Sequence, residues 1–150
     1  VSKTPAASNV ALRLGALIAG TASVVCLVFP WVRFGTRSRS SIDLIGSAGA
    51  LGVIAGTTRV IVVLLWLVLP MLVAAAMVAL AAQRPRLMAS LLLPLGPVIG
   101  LVIGVLALVA PTTVVWGAWL SAGFAILASL AAVAVLVDWS LKSRTAGSPR

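Results

Sequence analysis

Residues 60–82 read VIVVLLWLVLPMLVAAAMVALAA, 23 positions without a charge. At about 1.5 Å of rise per residue, a helix of this length crosses the roughly 30 Å hydrocarbon core of a bilayer with some tilt. Pro70, near its middle, is expected to kink it, because the ring removes one backbone donor and crowds the preceding turn. The polar connection Gln83-Arg84-Pro85-Arg86 comes next. It is short enough to make the following helix run antiparallel beside the first of the pair.

That following span, at about 87–110, contains LPLGPVIGLVIGVL from Leu93 to Leu106, in which Gly96, Gly100 and Gly104 recur every four residues. Residues four apart share a helix face, so the three glycines form a stripe against which another backbone can come close. Pro94 and Pro97 mark a bend near the start of that stripe. A very short turn at Pro111-Thr112-Thr113 leads to a further span at about 114–137, where Gly117, Ser121, Ala125 and Ser129 repeat the same spacing. The reading is that the two series pack on each other; the alternative is packing of the stripe onto another protein's helix.

Upstream of residue 60 the pattern changes. Residues 1–9, VSKTPAASN, read as a frayed polar tail, and a first span runs at about 14–32, closed by Pro30 and Trp31. Its apolar run exceeds the h-region of a cleavable leader, so it is read as retained. The stretch RFGTRSRSSID, residues 33–43, is a loop by composition and carries Arg33, Arg37 and Arg39. Ser40 and Asp43 have capping-box spacing, so a helix is expected to begin there. Its apolar continuation to Gly56 is too short to span, and the segment at about 41–56 is read as a short interfacial helix. The fold class expected is all-α: a single domain made of a four-helix transmembrane bundle with that short helix between the first and second spans.

Composition agrees. The chain is 62% hydrophobic and 9% charged, far from the balance of a soluble domain. Its net charge of +9 comes from basic residues at the edges of the apolar runs, where anionic headgroups meet them, so lipid surface rather than nucleic acid is the expected partner. With four spans, Lys3, Arg13, Arg84, Arg86, Lys142, Arg144 and Arg150 share one side, and Arg33, Arg37, Arg39 and Arg59 the other. The side richer in positive charge is expected to be cytoplasmic, placing both termini there in a bacterial inner membrane. Trp31, Trp116 and Trp119 would then sit at the outer interface and Trp139 at the inner one.

The same composition removes most chemistry. The chain has no His, Tyr or Glu and only two acids, Asp43 and Asp138, which this topology puts on opposite sides. No acid–base pair, no activated serine and no multidentate metal site can be assembled from such a set, so no catalytic residue, cofactor or metal is expected. Cys26 stands alone, without a disulfide partner. No span holds an acid, which argues against a proton-coupled pump. The polar feature left over is the trio Arg33, Arg37 and Arg39, a candidate contact for a protein partner or for phosphate-bearing lipid headgroups.

At PWVRFGTRSRSSIDL, then at Ala50-Leu51-Gly52 and the Arg84-Pro85-Arg86 turn, the chain resembles small four-helix membrane proteins of actinobacteria, mycobacteria in particular. Some of these are similar to accessory subunits of large envelope complexes, including Mce-type lipid importers and the respiratory supercomplex. The resemblance implies a non-catalytic accessory subunit of a larger inner-membrane complex, with lipid transport as the first expectation and a respiratory assembly as the second. A small transporter or an oligomeric pore is the alternative class.

Overall fold

The computed structural model describes residues 5–34, 36–50, 56–109 and 113–146. Helix α1 runs Pro5–Val25 and closes in a 3-10 turn at Cys26–Val28. Strands β1, Pro30–Phe34, and β2, Arg37–Ser40, follow, then helix α2, Ser41–Ala50. Helix α3 is Gly56–Ala81, α4 Pro85–Leu92 and α5 Leu95–Val109; strand β3, Thr113–Val114, precedes α6, Trp116–Ala146. Four stretches are long and apolar enough to cross a membrane: Asn9–Val28, Val63–Ala81, Pro85–Gly104 and Trp116–Ser143. The architecture is therefore a four-helix bundle of transmembrane character with the short helix α2 set at one end.

Several boundaries move. Helix α1 starts at Pro5, so Pro5–Asn9 is helical rather than frayed, and the first crossing stretch is Asn9–Val28 instead of about 14–32. The expected loop after it is a β-hairpin, and β1 also pairs with β3 to give a three-stranded antiparallel sheet in the order β2-β1-β3. Its signal is not local: β3 lies some eighty positions further along the chain, and only the closed bundle brings it to β1. Pro70 lies inside a continuous α3. The end of the interfacial segment at 51–55, the residue at 110 and the turn residues 111 and 112 lie outside the described residues.

Helix α3 ends in a tight cap. Gln83 adopts φ 56°, with its N–H bonded to Leu80 O at 3.0 Å and the next N–H, of Arg84, to Ala79 O at 2.8 Å. These are the two closures of a Schellman motif, with glutamine in the left-handed position usually held by glycine. Pro85 then opens α4 at its first turn, where a missing N–H costs nothing.

The core is a seam of small residues on α6. Ala118, Ala122, Ala125, Ala128, Ala132 and Val135 are buried at steps of three or four. Helix α1 lies along one side of this seam and α4 and α5 along the other, while α3 packs on α4 and α1. Between α1 and α6 the approach is close enough for two serines to bond reciprocally. Ser23 Oγ donates to Ser121 O at 2.9 Å and Ser121 Oγ to Ser23 O at 3.1 Å, both fully buried.

The break between α4 and α5 has a chemical cause and a chemical repair. Pro97 has no N–H, so the carbonyl of Leu93, four residues earlier, loses its helical donor, and in lipid no water replaces it. Ser129 on α6 supplies both missing partners. Its Oγ donates to Leu93 O at 2.9 Å and accepts from Gly96 N–H at 2.9 Å. A Cβ at Gly96 would lie 2.7 Å from that oxygen, so the glycine is what lets the serine in.

The expected docking of the whole glycine stripe is therefore corrected. Gly96 meets Ala125 and Ser129, whereas a Cβ at Gly100 or Gly104 would meet nothing within 4 Å. Helix α5 turns Leu95, Ile99 and Ile103 inward, and the glycine series sits one residue, roughly 100°, further round. The α6 series is divided too: Ala125 and Ser129 face α5, Ser121 faces α1, and Gly117 faces the chain at Pro30.

Candidate functional site

The sheet and α2 form a cap on one end of the bundle, and its attachment explains its shape. In β1, Pro30 pairs with Ser40 and Val32 with Arg39, so two steps on β1 oppose one on β2 and Trp31 is the extra residue of a bulge. Strict alternation would turn Trp31 and Val32 to opposite faces; the bulge lets both go inward, and they are 1% and 0% exposed. Trp31 is thus a core residue, its ring packed inside the protein and not turned outward. Its indole N–H donates to Cys26 O at 3.0 Å, and its own carbonyl accepts from Val115 N–H at 2.8 Å.

Helix α6 begins directly beneath this strand. A Cβ on Gly117 would run into the Pro30 carbonyl, so only glycine admits the close approach. Phe29 and Trp116 stack at 5.3 Å between centroids just outside it. Trp116 and Trp119 are exposed at this end of α6.

Ser41 fastens α2. It is buried, its Oγ donates to Leu27 O at 2.6 Å, and it accepts the indole N–H of Trp66 at 3.0 Å. Trp66 in turn meets Trp31 edge-on at 5.5 Å. One hydroxyl therefore joins the end of α1, the start of α2 and the middle of α3, and it gives the Trp66 N–H a partner in an apolar place. Ser40 and Asp43 complete the attachment as a reciprocal capping box. Asp43 N–H donates to Ser40 Oγ at 3.2 Å; Ser40 N–H and Oγ donate to Asp43 Oδ2 at 3.3 and 2.9 Å.

On this cap the three arginines are separated. Cross-strand partners share a face, so Arg37 and Arg39 lie on the face of Val32, which is turned to the bundle, and Arg33 lies with Ser38 on the opposite one. Arg33 and Arg37 are exposed and Arg39 is half-buried. No ion pair joins any of the three to another described residue. Below β2, between α2, the end of α1 and α3, an apolar groove of about 440 Å³ opens sideways, with walls that include Leu27, Ile45, Gly46, Val63 and Trp66.

The opposite end carries a second polar group. Arg86 stacks on Trp139 with its guanidinium carbon 3.4 Å from the ring centroid, and Lys142 pairs with Asp138 at 2.6 Å one turn further. Asp43 and Asp138 thus occupy different ends. No group of three or more metal-ligating side chains occurs among the described residues. Sequence reasoning missed Ser41, Trp66 and the buried role of Trp31. The available signal was that a tryptophan inside a span needs an acceptor, and serine at a helix start is a ready one. No protein-family model matches the chain, and neither a curated protein nor a solved structure matches it.

Proposed function

We propose that the chain is a non-catalytic accessory subunit of a larger bacterial inner-membrane complex, most directly a lipid-transporting assembly of the Mce type, and that the arginine hairpin is its contact face. One observation carries this reading. The chain has two acids. Asp43 caps α2 and Asp138 pairs with Lys142 at the far end, and among the described residues no ion pair joins either to Arg33, Arg37 or Arg39, so three positive charges stand on the hairpin with one acid nearby. Guanidinium groups held on a sheet by buried hydrogen bonds are suited to bidentate pairing with carboxylate or phosphate supplied from outside.

Supporting points come from composition and shape. With no His, Glu or Tyr, binding is the work left to the side chains, and a groove beside the hairpin fits a role next to lipid. In this reading both termini are cytoplasmic and the cap faces outward, because the end with more basic residues is retained inside. The test is charge reversal of all three positions, Arg33→Glu, Arg37→Glu and Arg39→Glu, followed by gentle-detergent purification and mass spectrometry. Loss of the partners that accompany the wild-type chain is expected; recovery of the same partners refutes the hairpin as contact face.

A further inference from the structure

The groove beside the cap has a definite shape and a definite neighbour. Its walls are the end of α1, one face of α2 and the outer half of α3, and it stays open because Ser41 holds α2 across the other two. Its volume, about 440 Å³, lies within the roughly 300–1,000 Å³ of small-molecule sites. The lining is apolar, and the one indole N–H in it, of Trp66, is already bonded to Ser41. Nothing there requires water.

The chain that enters the α2 wall of the groove carries charge. Strand β2 leads directly into α2, so Arg37 and Arg39 stand a few residues before Ile42 and Ile45, which line the groove. Both arginines lie on the sheet face turned toward the bundle, and no ion pair joins either to another described residue. An apolar slot whose α2 wall follows directly on a strand with two arginines matches a molecule with a hydrocarbon tail and an anionic head. We propose that the groove is the acyl-chain site for one anionic phospholipid, whose phosphate is held by Arg37 and Arg39. Arg33, on the other face of the sheet, takes no part. This goes beyond the accessory-subunit reading and needs no protein partner.

Gly46 gives the test its handle. It lines the groove, its backbone is helical, and a Cβ there would meet nothing within 4 Å, so a larger side chain can be started there without a clash at its base and takes up groove volume. Gly100 is equally open and lies away from the groove. The full chain is placed in nanodiscs of phosphatidylcholine with a minor fraction of phosphatidylglycerol, released, and examined by native mass spectrometry for retained lipid. Wild type is expected to keep phosphatidylglycerol in preference to phosphatidylcholine. Gly46→Phe and the milder Gly46→Leu lose the retained lipid, while Gly100→Phe keeps it. Arg37→Gln with Arg39→Gln keeps a lipid but loses its preference by roughly thirtyfold, about fivefold for each arginine near an anionic headgroup.

Wild type without retained lipid, Gly46→Phe and Gly46→Leu that both keep it, or the double arginine variant with its preference intact overturns the proposal. Far-UV circular dichroism of each variant checks that the helices are kept. Because no partner protein is present, failure here leaves the accessory-subunit reading standing.

Discussion

Replacing Ser129 by alanine tests how this bundle tolerates Pro94 and Pro97 inside its third span. The side chain makes two bonds of 2.9 Å across the break between α4 and α5, donating to Leu93 O and accepting from Gly96 N–H. Neither group has a helical partner to fall back on, since Pro97 cannot donate to Leu93 and Gly96 sits in the first turn of α5. Interhelical hydrogen bonds within membranes average about 0.6 kcal/mol and reach about 1.7. Two of them at one lipid-embedded break give an expected loss of about 1–3 kcal/mol for Ser129→Ala. The assay is reversible unfolding in bicelles, with Ser140→Ala as control. Ser140 bonds locally and at the surface to Val137 O, so its loss stays within about 0.5 kcal/mol. Hydrogen exchange should also quicken at Gly96. If Ser129→Ala unfolds no more easily than Ser140→Ala, and exchange at Gly96 is unchanged, the repair assigned to Ser129 is refuted.

Other substitutions address other joints. Gly117→Ala drives a methyl group into the Pro30 carbonyl and should cost about 1–3 kcal/mol in the same unfolding assay, since neither backbone can give way alone. Trp66→Phe keeps an aromatic ring beside Trp31 but removes the donor to Ser41; a loss of about 1 kcal/mol and faster hydrogen exchange through α2 are expected. Gln83→Gly relieves a left-handed residue, worth about 1–2 kcal/mol, against the greater freedom of glycine when unfolded. A net gain of about 0.5–1 kcal/mol should appear as a higher unfolding midpoint. Asp138→Asn removes an exposed helical ion pair and should change stability by less than about 0.5 kcal/mol.

How far the sequence speaks depends on how local each signal is. The four spans are legible because a run such as residues 60–82 needs no partner to declare itself; its hydrophobicity is a property of the segment. The capping box of Ser40 and Asp43 and the pair of Asp138 with Lys142 are legible for the same reason, each closing within four residues. The sheet is not, because β1 finds β3 only after the bundle has formed, and PWVRF beside RSRS has too many arginines to look like strands. The glycine stripe misleads by one residue of rotation: spacing of four shows which residues share a face, but not which face turns inward. In α5 the larger Leu95, Ile99 and Ile103 take the inner position, leaving Gly100 and Gly104 open. Of the candidate site, the arginines are legible as a group, while their division between two sheet faces follows from the bulge at Trp31 and was hidden with it.

The central claim is that this chain acts by binding within a larger assembly. The most direct measurement is the mass of the native particle, obtained by releasing the tagged chain from its membrane in a gentle detergent and weighing it by native mass spectrometry. The account predicts stoichiometric recovery with a larger membrane partner. A symmetric homo-oligomer that carries flux when placed in liposomes would contradict it.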